Sequence, residues 1–321
     1  REGLPYRYPE GGDHIHARLQ KELELIKEKG FVSYFLINWD IVSYARKKNF
    51  FYVGRGSGAN SIVAYLLRIP DVDPIDLDLY FERFINLYRT NPPDFDIDFS
   101  WRDREEMTQY IFGRFENVAL LGTYVTFRDR GIIRELGKVF GLPKAEIDFL
   151  SEGRYHFDKL EGVAQLVLRY GQLIRGMPKY LSIHAGGILI SENPIHYFSA
   201  THLPPKGFPT TQFDMVIAED VGLYKFDILA QRGLAKIKEA LQIARENQPE
   251  VAAAVDIHDI KRFVRDPVIN NLVKTALCMG CFYVESPAMR MLLRKLEVDN
   301  YLGLVAASSI IRPGVSNSGM M

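Results

Sequence analysis

From Pro93 to Phe99 acidic and apolar residues alternate without a break: Asp94, Phe95, Asp96, Ile97, Asp98, Phe99. A period of two predicts a strand whose odd and even positions lie on opposite faces. Phe95, Ile97 and Phe99 then face a core, and the three aspartates face the other side. Neighbours there are about 6.5 Å apart, at a rise of about 3.3 Å per residue. Three like charges in a row repel, and strands are normally poor in Asp. A positive partner should balance them. A hard divalent cation held by carboxylate oxygens meets that need; the alternative is the solvated face of an edge strand.

Elsewhere the apolar positions recur with helical spacing. Ile15, Leu19, Leu23 and Ile26 make a stripe on a helix that ends at Gly30. Phe31 to about Lys48 reads as a second, strongly apolar helix carrying Trp39 and several tyrosines. A short strand, Phe51-Tyr52-Val53, runs into the glycine loop Gly54 to Asn60 and then an apolar helix, Ser61 to Leu67. Pro74, Asp76 and Asp78 suit the start of a helix that carries Phe81-Glu82-Arg83-Phe84 and ends near Asn91-Pro92-Pro93. After the acidic strand a helix is expected from about Arg102 to Phe115, then an apolar run, Val118 to Phe127. From Arg128 to about Lys179 the pattern is helical and more basic, with Arg128, Arg130, Arg134 and Lys138 near its start; it reads as an inserted helical unit. Strands resume at His184 to Ile190, near Thr211 to Phe213, and at Val221 to Leu229, with a loop at Pro204-Pro205-Lys206-Gly207. Beyond Gln231 the chain reads as mainly helical, except for Cys281 to Val284.

Composition narrows this picture. The 321 residues allow two or three domains and a substantial core. Lys+Arg and Asp+Glu are both 40, so a basic surface for nucleic acid has to be local. No signal peptide or apolar run of membrane-spanning length is present, which points to a cytoplasmic protein. Starting at Arg1 and stopping at Met320-Met321, the chain reads as a piece of a longer protein. Cys278 and Cys281 form a single Cys-x-x-Cys with no second pair for zinc. They read as two buried, reduced thiols beside an apolar strand. His14 and His16 read as surface residues.

Several groups carry candidate chemistry. The layout around Gly54-Arg55-Gly56-Ser57-Gly58 offers backbone N–H groups to a phosphate, with a hydroxyl from Ser57 and a charge from Arg55. It lacks the Gly-Lys-Ser/Thr ending of a Walker loop and the spacing of a dinucleotide fingerprint, so a generic phosphate cradle or a tight structural turn remains. Lys225 and Asp227 share one strand face with Phe226 opposite. They are either a structural ion pair or a phosphate contact beside a further metal ligand. A strand with Asp94 and Asp96 beside one with Asp227 would supply the carboxylates that two-metal phosphoryl transfer requires. Arg83 is placed to reach a triphosphate or to pair with Glu82 or Asp78. His184 lines a substrate path or caps a strand, Gln212 and Asp214 are undecided, Glu285-Ser286 starts a helix, and Arg312-Pro313-Gly314 is a turn with a cation.

Taken in order, Gly54 to Gly58, Phe81 to Phe84, Pro93 to Phe99, His184-Ala185-Gly186-Gly187, Thr211-Gln212-Phe213-Asp214, Lys225-Phe226-Asp227, Val284-Glu285-Ser286 and Arg312-Pro313-Gly314 resemble the α subunit of bacterial DNA polymerase III. The resemblance spans nearly the whole chain. It implies an α+β fold: a mixed-sheet palm similar to that of β-type nucleotidyltransferases, with a helical thumb insert and partial, truncated helical fingers. The palm would take residues 1–127 and 184–233, the thumb 128–183, and the fingers 234–321. It implies DNA-templated DNA polymerisation during chromosomal replication, with two Mg²⁺ ions held by Asp94, Asp96 and Asp227. Asp227 is the one placed to act on the primer 3′-hydroxyl. Gly56, Ser57, Arg83 and Lys225 match residues that hold the incoming dNTP phosphates, and Asp98 matches the last Asp of its motif. Primer–template DNA is the implied partner. In the full-length protein the sliding clamp, the clamp-loader subunit and a proofreading exonuclease join it. The family's N-terminal PHP domain and its clamp-binding regions lie outside this chain.

Three other readings compete. An untemplated nucleotidyltransferase would share the palm. A metal-dependent phosphatase of the Asp-x-Asp-x-Thr kind is disfavoured by Phe99 where Thr would stand. The chain by itself could also be an inactive module that grips primer–template DNA.

Overall fold

The computed structural model describes residues 2–86, 88, 94–153, 155–160, 162–257 and 259–311. The Arg312-Pro313-Gly314 turn, the Asn91-Pro92-Pro93 helix end and Pro93 at the head of the acidic stretch lie outside the described residues. The fold is mixed α and β. Among the described residues seven strands, β1 (Tyr52–Arg55), β2 (Asp96–Ser100), β3 (Asn117–Thr126), β4 (Pro178–Ser191), β5 (Thr201–His202), β6 (Thr210–Thr211) and β7 (Lys225–Gln231), form one sheet in the order β1-β2-β7-β4-β3-β6-β5. The sheet is mixed: β3 runs antiparallel to β4, β4 antiparallel to β7, and β3 parallel to β6. The two strands expected to carry the acids, β2 and β7, are therefore neighbours. Gly187 on β4 is the register partner of Asp227, and Leu189 that of Lys225.

The alternation of β2 decides its packing. Phe95, Ile97 and Phe99 are all buried. Phe95 stacks on Tyr34, with ring centroids 5.6 Å apart, and meets Phe35 edge-on at 5.2 Å. Tyr34 and Phe35 belong to the helix Val32–Lys47, which follows the helix Asp13–Glu28 much as the periodicity predicts. The stripe on the earlier helix differs from expectation. Ile15 and Ile26 are buried, but Leu23 is exposed and Glu22 has no exposure at all. Hydrogen bonding accounts for this. The Glu22 carboxylate accepts from Arg18 Nε at 2.6 Å, Ser61 Oγ at 2.8 Å and Val63 N at 3.3 Å, which is what a buried charge requires.

Five expectations are corrected. The region from Pro74 to Phe84 is not a helix. It is a series of turns with one 3-10 turn at Phe81–Arg83. Asp73 holds the N–H groups of Ile75 and Asp76, Asp78 has a φ of 48°, and Phe81, Phe84 and Ile85 are pulled into the core. The strand placed at Val221 starts only at Lys225, because the helix Met215–Asp220 ends in a turn at Gly222 with φ 78°. β4 begins at Pro178, ahead of His184, because it pairs with the full length of β3. Cys281 to Val284 is a run of turns, with backbone bonds from Val284 and Glu285 N–H to the Cys281 carbonyl. Cys278 is buried while Cys281 is exposed, so only one of the two thiols is a core residue.

The helical segment between β3 and β4 comprises the helices Asp129–Val139, Lys144–Glu152 and Val163–Ile174. It has a small core of its own, Ile133, Ile147 and Leu150 with Tyr155, Leu160 and Leu168 around it.

The chain divides into two units. One comprises residues 1–48, 53–98 and 104–229; the other comprises 49–52, 99–103 and 230–321. The second has a core of Ala276, Cys278, Met289, Leu293, Val298 and Ala307. Its helix Pro287–Lys295 is capped by Ser286, whose hydroxyl accepts from Met289 N–H, as the sequence predicts. Among the described residues no helix is long and apolar enough to cross a membrane.

Candidate active site

β2 and β7 bring the predicted acids to one face. Lys225 Nζ donates to Asp227 Oδ2 and lies 3.5 Å from Asp94 Oδ1, so one ammonium joins a carboxylate of β7 to one just ahead of β2. Burial disfavours its charge, but Asp227 and Asp94 outweigh this and raise the Lys225 pKa above its ordinary value. Burial pushes the Asp96 carboxyl above its ordinary value. Arg55 opposes the push, and the charges of Asp227 and Asp94 add to it. The three carboxylates thus act on one another, as like charges sharing a site do.

The outer end of β1 supplies a second cation. Arg55 Nε donates to Asp98 Oδ2 at 2.7 Å, and Nη1 to Asp96 Oδ2 at 3.0 Å. Asp98, whose side chain is only 5% exposed, is thus the buried foot of an Arg55 bridge. Beside it Gly56 has a φ of 84°, a conformation L side chains rarely adopt. A Cβ there would stand 3.2 Å from Asp96 Oδ2, so the glycine lets the loop lie against that carboxylate. Gly58 is equally constrained, since a Cβ would fall 2.3 Å from the Phe95 ring. The helix after the loop, Ile62–Leu66, has five residues, and its first N–H groups are already used: Ser61 Oγ accepts from Ala64 and Glu22 from Val63. What the loop can offer a phosphate is therefore Gly56 and the half-buried Ser57 rather than a helix terminus.

The remaining predicted residues separate. Arg83 is exposed on the 3-10 turn, and the Glu82 proposed as its partner pairs with Lys21 at 2.5 Å. His184 Nδ1 accepts from the N–H groups of Gly186 and Gly187 at 3.2 and 2.8 Å and lies 3.9 Å from Asp227 Oδ1. Burial, against the pull of Asp227, holds its pKa below the ordinary value, which suits a neutral ring with Nδ1 as acceptor. Asp214 caps the helix Met215–Asp220, and Gln212 is exposed.

Two positioning residues carry no signal in the strand pattern. The Tyr34 hydroxyl accepts from Phe95 N–H at 3.2 Å and donates to the Lys225 carbonyl at 3.4 Å, bolting the head of β2 to that of β7. Burial raises its pKa, so the phenol stays neutral. A buried tyrosine needs a partner for its hydroxyl, and that is the only hint the sequence holds. Arg104 donates to the carbonyls of Ile228 and Ala185 at 2.8 and 2.7 Å, fastening β7 to β4. A cation in the first turn of a helix runs against the dipole, which was its signal.

Among the described residues no group of three or more His, Cys, Asp or Glu is arranged to hold a metal ion. The donors nevertheless fit one chemically. They are hard carboxylate oxygens, suited to Mg²⁺ or Mn²⁺. Asp227 Oδ1 is buried with no hydrogen-bond partner, so it has a lone pair that a cation could take. Asp94, Asp96 and Asp227 are the residues that could hold it, with Lys225 and Arg55 supplying the counter-charge meanwhile.

The family profile described as the bacterial DNA polymerase III alpha NTPase domain matches residues 1–230, and that of the bacterial DNA polymerase III alpha subunit finger domain matches 233–321. The chain belongs to the bacterial DNA polymerase III alpha family. Its similarity to an error-prone DNA polymerase of Symbiobacterium thermophilum is 32% identity over 341 residues, covering all of this chain and 30% of that protein. An error-prone DNA polymerase of Vibrio vulnificus is 34% identical over 342 residues, covering 100% of this chain and 33% of its own length. One of Vibrio campbellii is 33% identical over 338 residues, with 99% and 33% covered. The chain thus spans 30 to 33% of the length of these curated relatives.

Proposed function

We propose that the protein carrying this chain is a DNA-templated DNA polymerase that adds a dNTP to a primer 3′-hydroxyl during replication, by two-metal nucleotidyl transfer. The observation that carries this reading is the Lys225 ammonium shared by Asp94 and Asp227, next to an Asp96 that lies against Gly56. Divalent cations bound there, Mg²⁺ in this reading, would make the 3′-hydroxyl a better nucleophile and neutralise charge on the pyrophosphate. Asp94 and Asp96 hold the cations, and Asp227 faces the primer end. Ser57, the Gly56 backbone, Lys225 and Arg83 hold the triphosphate. His184, neutral and fixed by two backbone N–H groups, keeps one wall of the Asp227 side in place.

In this reading residues 1–127 and 184–233 are palm, 128–183 a thumb insert, and 234–321 the start of the fingers. The match to the finger profile from residue 233 supports the last boundary. The thumb's exposed Arg130, Arg134 and Lys138 meet the DNA backbone. The test is primer extension by the full-length protein. Asp96→Ala should abolish incorporation while leaving primer–template binding intact. Extension at the wild-type rate would refute the assignment, and incorporation indifferent to the template base would move the reading to an untemplated nucleotidyltransferase.

A further inference from the structure

We infer that Arg55 is a positioning residue that acts as the built-in counter-cation of Asp96, anchored by Asp98, and that a divalent cation must displace it to reach Asp96. This rests on the metal-dependent reading of the site. The two contacts of the guanidinium are unequal. Asp98 is nearly sealed from solvent and takes Nε at 2.7 Å, whereas Asp96 is half-buried and takes Nη1 at 3.0 Å. Asp98 therefore fixes the side chain, and Asp96 is the exchangeable end. The Arg55 side chain is 47% exposed, so a ligand arriving from solvent can approach it. A pair held this way serves two needs. With no cation bound, it keeps Asp96 from adding an uncompensated charge beside Asp94 and Asp227, which share Lys225. When a cation takes Asp96, Arg55 stays tethered by Asp98 beside Gly56, where a triphosphate oxygen can accept its freed N–H.

The consequence is a coupling between nucleotide and metal. Displacing a neighbouring cation weakens metal binding, and a triphosphate that engages Arg55 removes the competition. The sequence motif alone gives Asp98 no role, and this one explains its burial. It also separates Arg55 from Lys225. Lys225 pairs with Asp227 and lies by Asp94, while the hydrogen bonds of Arg55 go to Asp98 and Asp96 of β2.

The test is Mn²⁺ titration of the full-length protein without nucleotide, followed by electron paramagnetic resonance of the free ion. The relevant site is the one removed by Asp96→Asn and Asp227→Asn. Arg55→Met should tighten Mn²⁺ at that site by about fivefold or more. Because Arg55→Met leaves a buried Asp98 without its guanidinium, the double variant Arg55→Met/Asp98→Asn is measured beside it. It removes the carboxylate that lost its guanidinium, should unfold near the wild-type temperature, and should show the same tightening. Added dNTP should tighten Mn²⁺ in the wild type more than in either variant. Equal Mn²⁺ affinity in wild type and both variants, with Asp96→Asn still abolishing the site, overturns the Arg55 proposal and leaves the active-site reading standing. Binding untouched by Asp96→Asn and Asp227→Asn overturns both.

Discussion

The face of β2 and β7 and the helical segment between β3 and β4 are both rich in charge, and they handle it in opposite ways. On the strands the side chains of Asp98, Asp227 and Lys225 are 5%, 6% and 11% exposed, and each charge is committed to a named partner. On the helix Asp129–Val139 the cations Arg130, Arg134 and Lys138 recur every fourth residue and are exposed. The ion pair between Arg175 and Asp129 has both members mostly in water at 3.3 Å. Buried charges need partners with correct geometry, because desolvation is expensive and a stranded charge is worse than none. Exposed charges are already solvated and are available to a ligand. The first region is therefore one in which a single substitution disturbs fold and chemistry together. The second can lose charge without losing structure.

The largest effect should come from breaking the strand-to-strand pair. Lys225→Met leaves Asp227 buried without its cation, which costs roughly 3–5 kcal/mol when one partner of a buried pair is removed. Urea unfolding measures it. A variant as stable as wild type would show that water already reaches Asp227, and the contrast between the two regions would fail. Next is Ile147→Ala, a cavity in the small core of the helical segment, worth about 2–4 kcal/mol. Since Ile133, Ile147 and Leu150 form their own cluster, the loss should stay local. Amide exchange should quicken over residues 129–174 and remain slow in β3 and β4. Uniform quickening would mean that the segment and the sheet unfold as one.

Tyr34→Phe is smaller and more informative. It keeps the stacking on Phe95 and the tilted contact with Phe226 but removes both hydroxyl bonds, about 1 kcal/mol each. In the polymerase reading, primer extension by the full-length variant should lose kcat more than KM, since the bolt sets the spacing of the acids and not the grip on the nucleotide. A pure KM effect would place Tyr34 in nucleotide binding instead.

These residues also show what the sequence could and could not carry. The alternation of Asp94 to Phe99 predicted the burial of Phe95, Ile97 and Phe99, because strand period and burial obey one geometric rule. The pairing of β2 beside β7 was legible only through chemistry: two-metal transfer needs a further carboxylate beside Asp94 and Asp96, and Asp227 was the acid on offer. The burial of Glu22 and Asp98 was not legible, since a charged residue is read as an exposed one until its partners, Arg18 and Arg55, are placed by the tertiary fold. The missing helix from Pro74 to Phe84 has the same origin. Local propensity favoured it, and the burial of Phe81, Phe84 and Ile85 overrode it. The spacing of Lys225 and Asp227 placed them on one face, yet it could not say that Asp94 would share the same ammonium.

The smallest structural effect and the sharpest test of the contrast belong to Arg134→Gln. Arg134 is exposed on its helix, two turns of which space Arg130, Arg134 and Lys138 about 6 Å apart along the axis. Removing one charge should leave the unfolding transition where it is. If the row meets the DNA backbone, primer–template affinity should fall to a similar degree on every sequence, and the slope of log affinity against log salt should become shallower by about 0.9, one released counterion. An unchanged slope would remove the row from the interface. A changed unfolding transition would show that the charge is structural after all, and the two regions would then differ in exposure without differing in role.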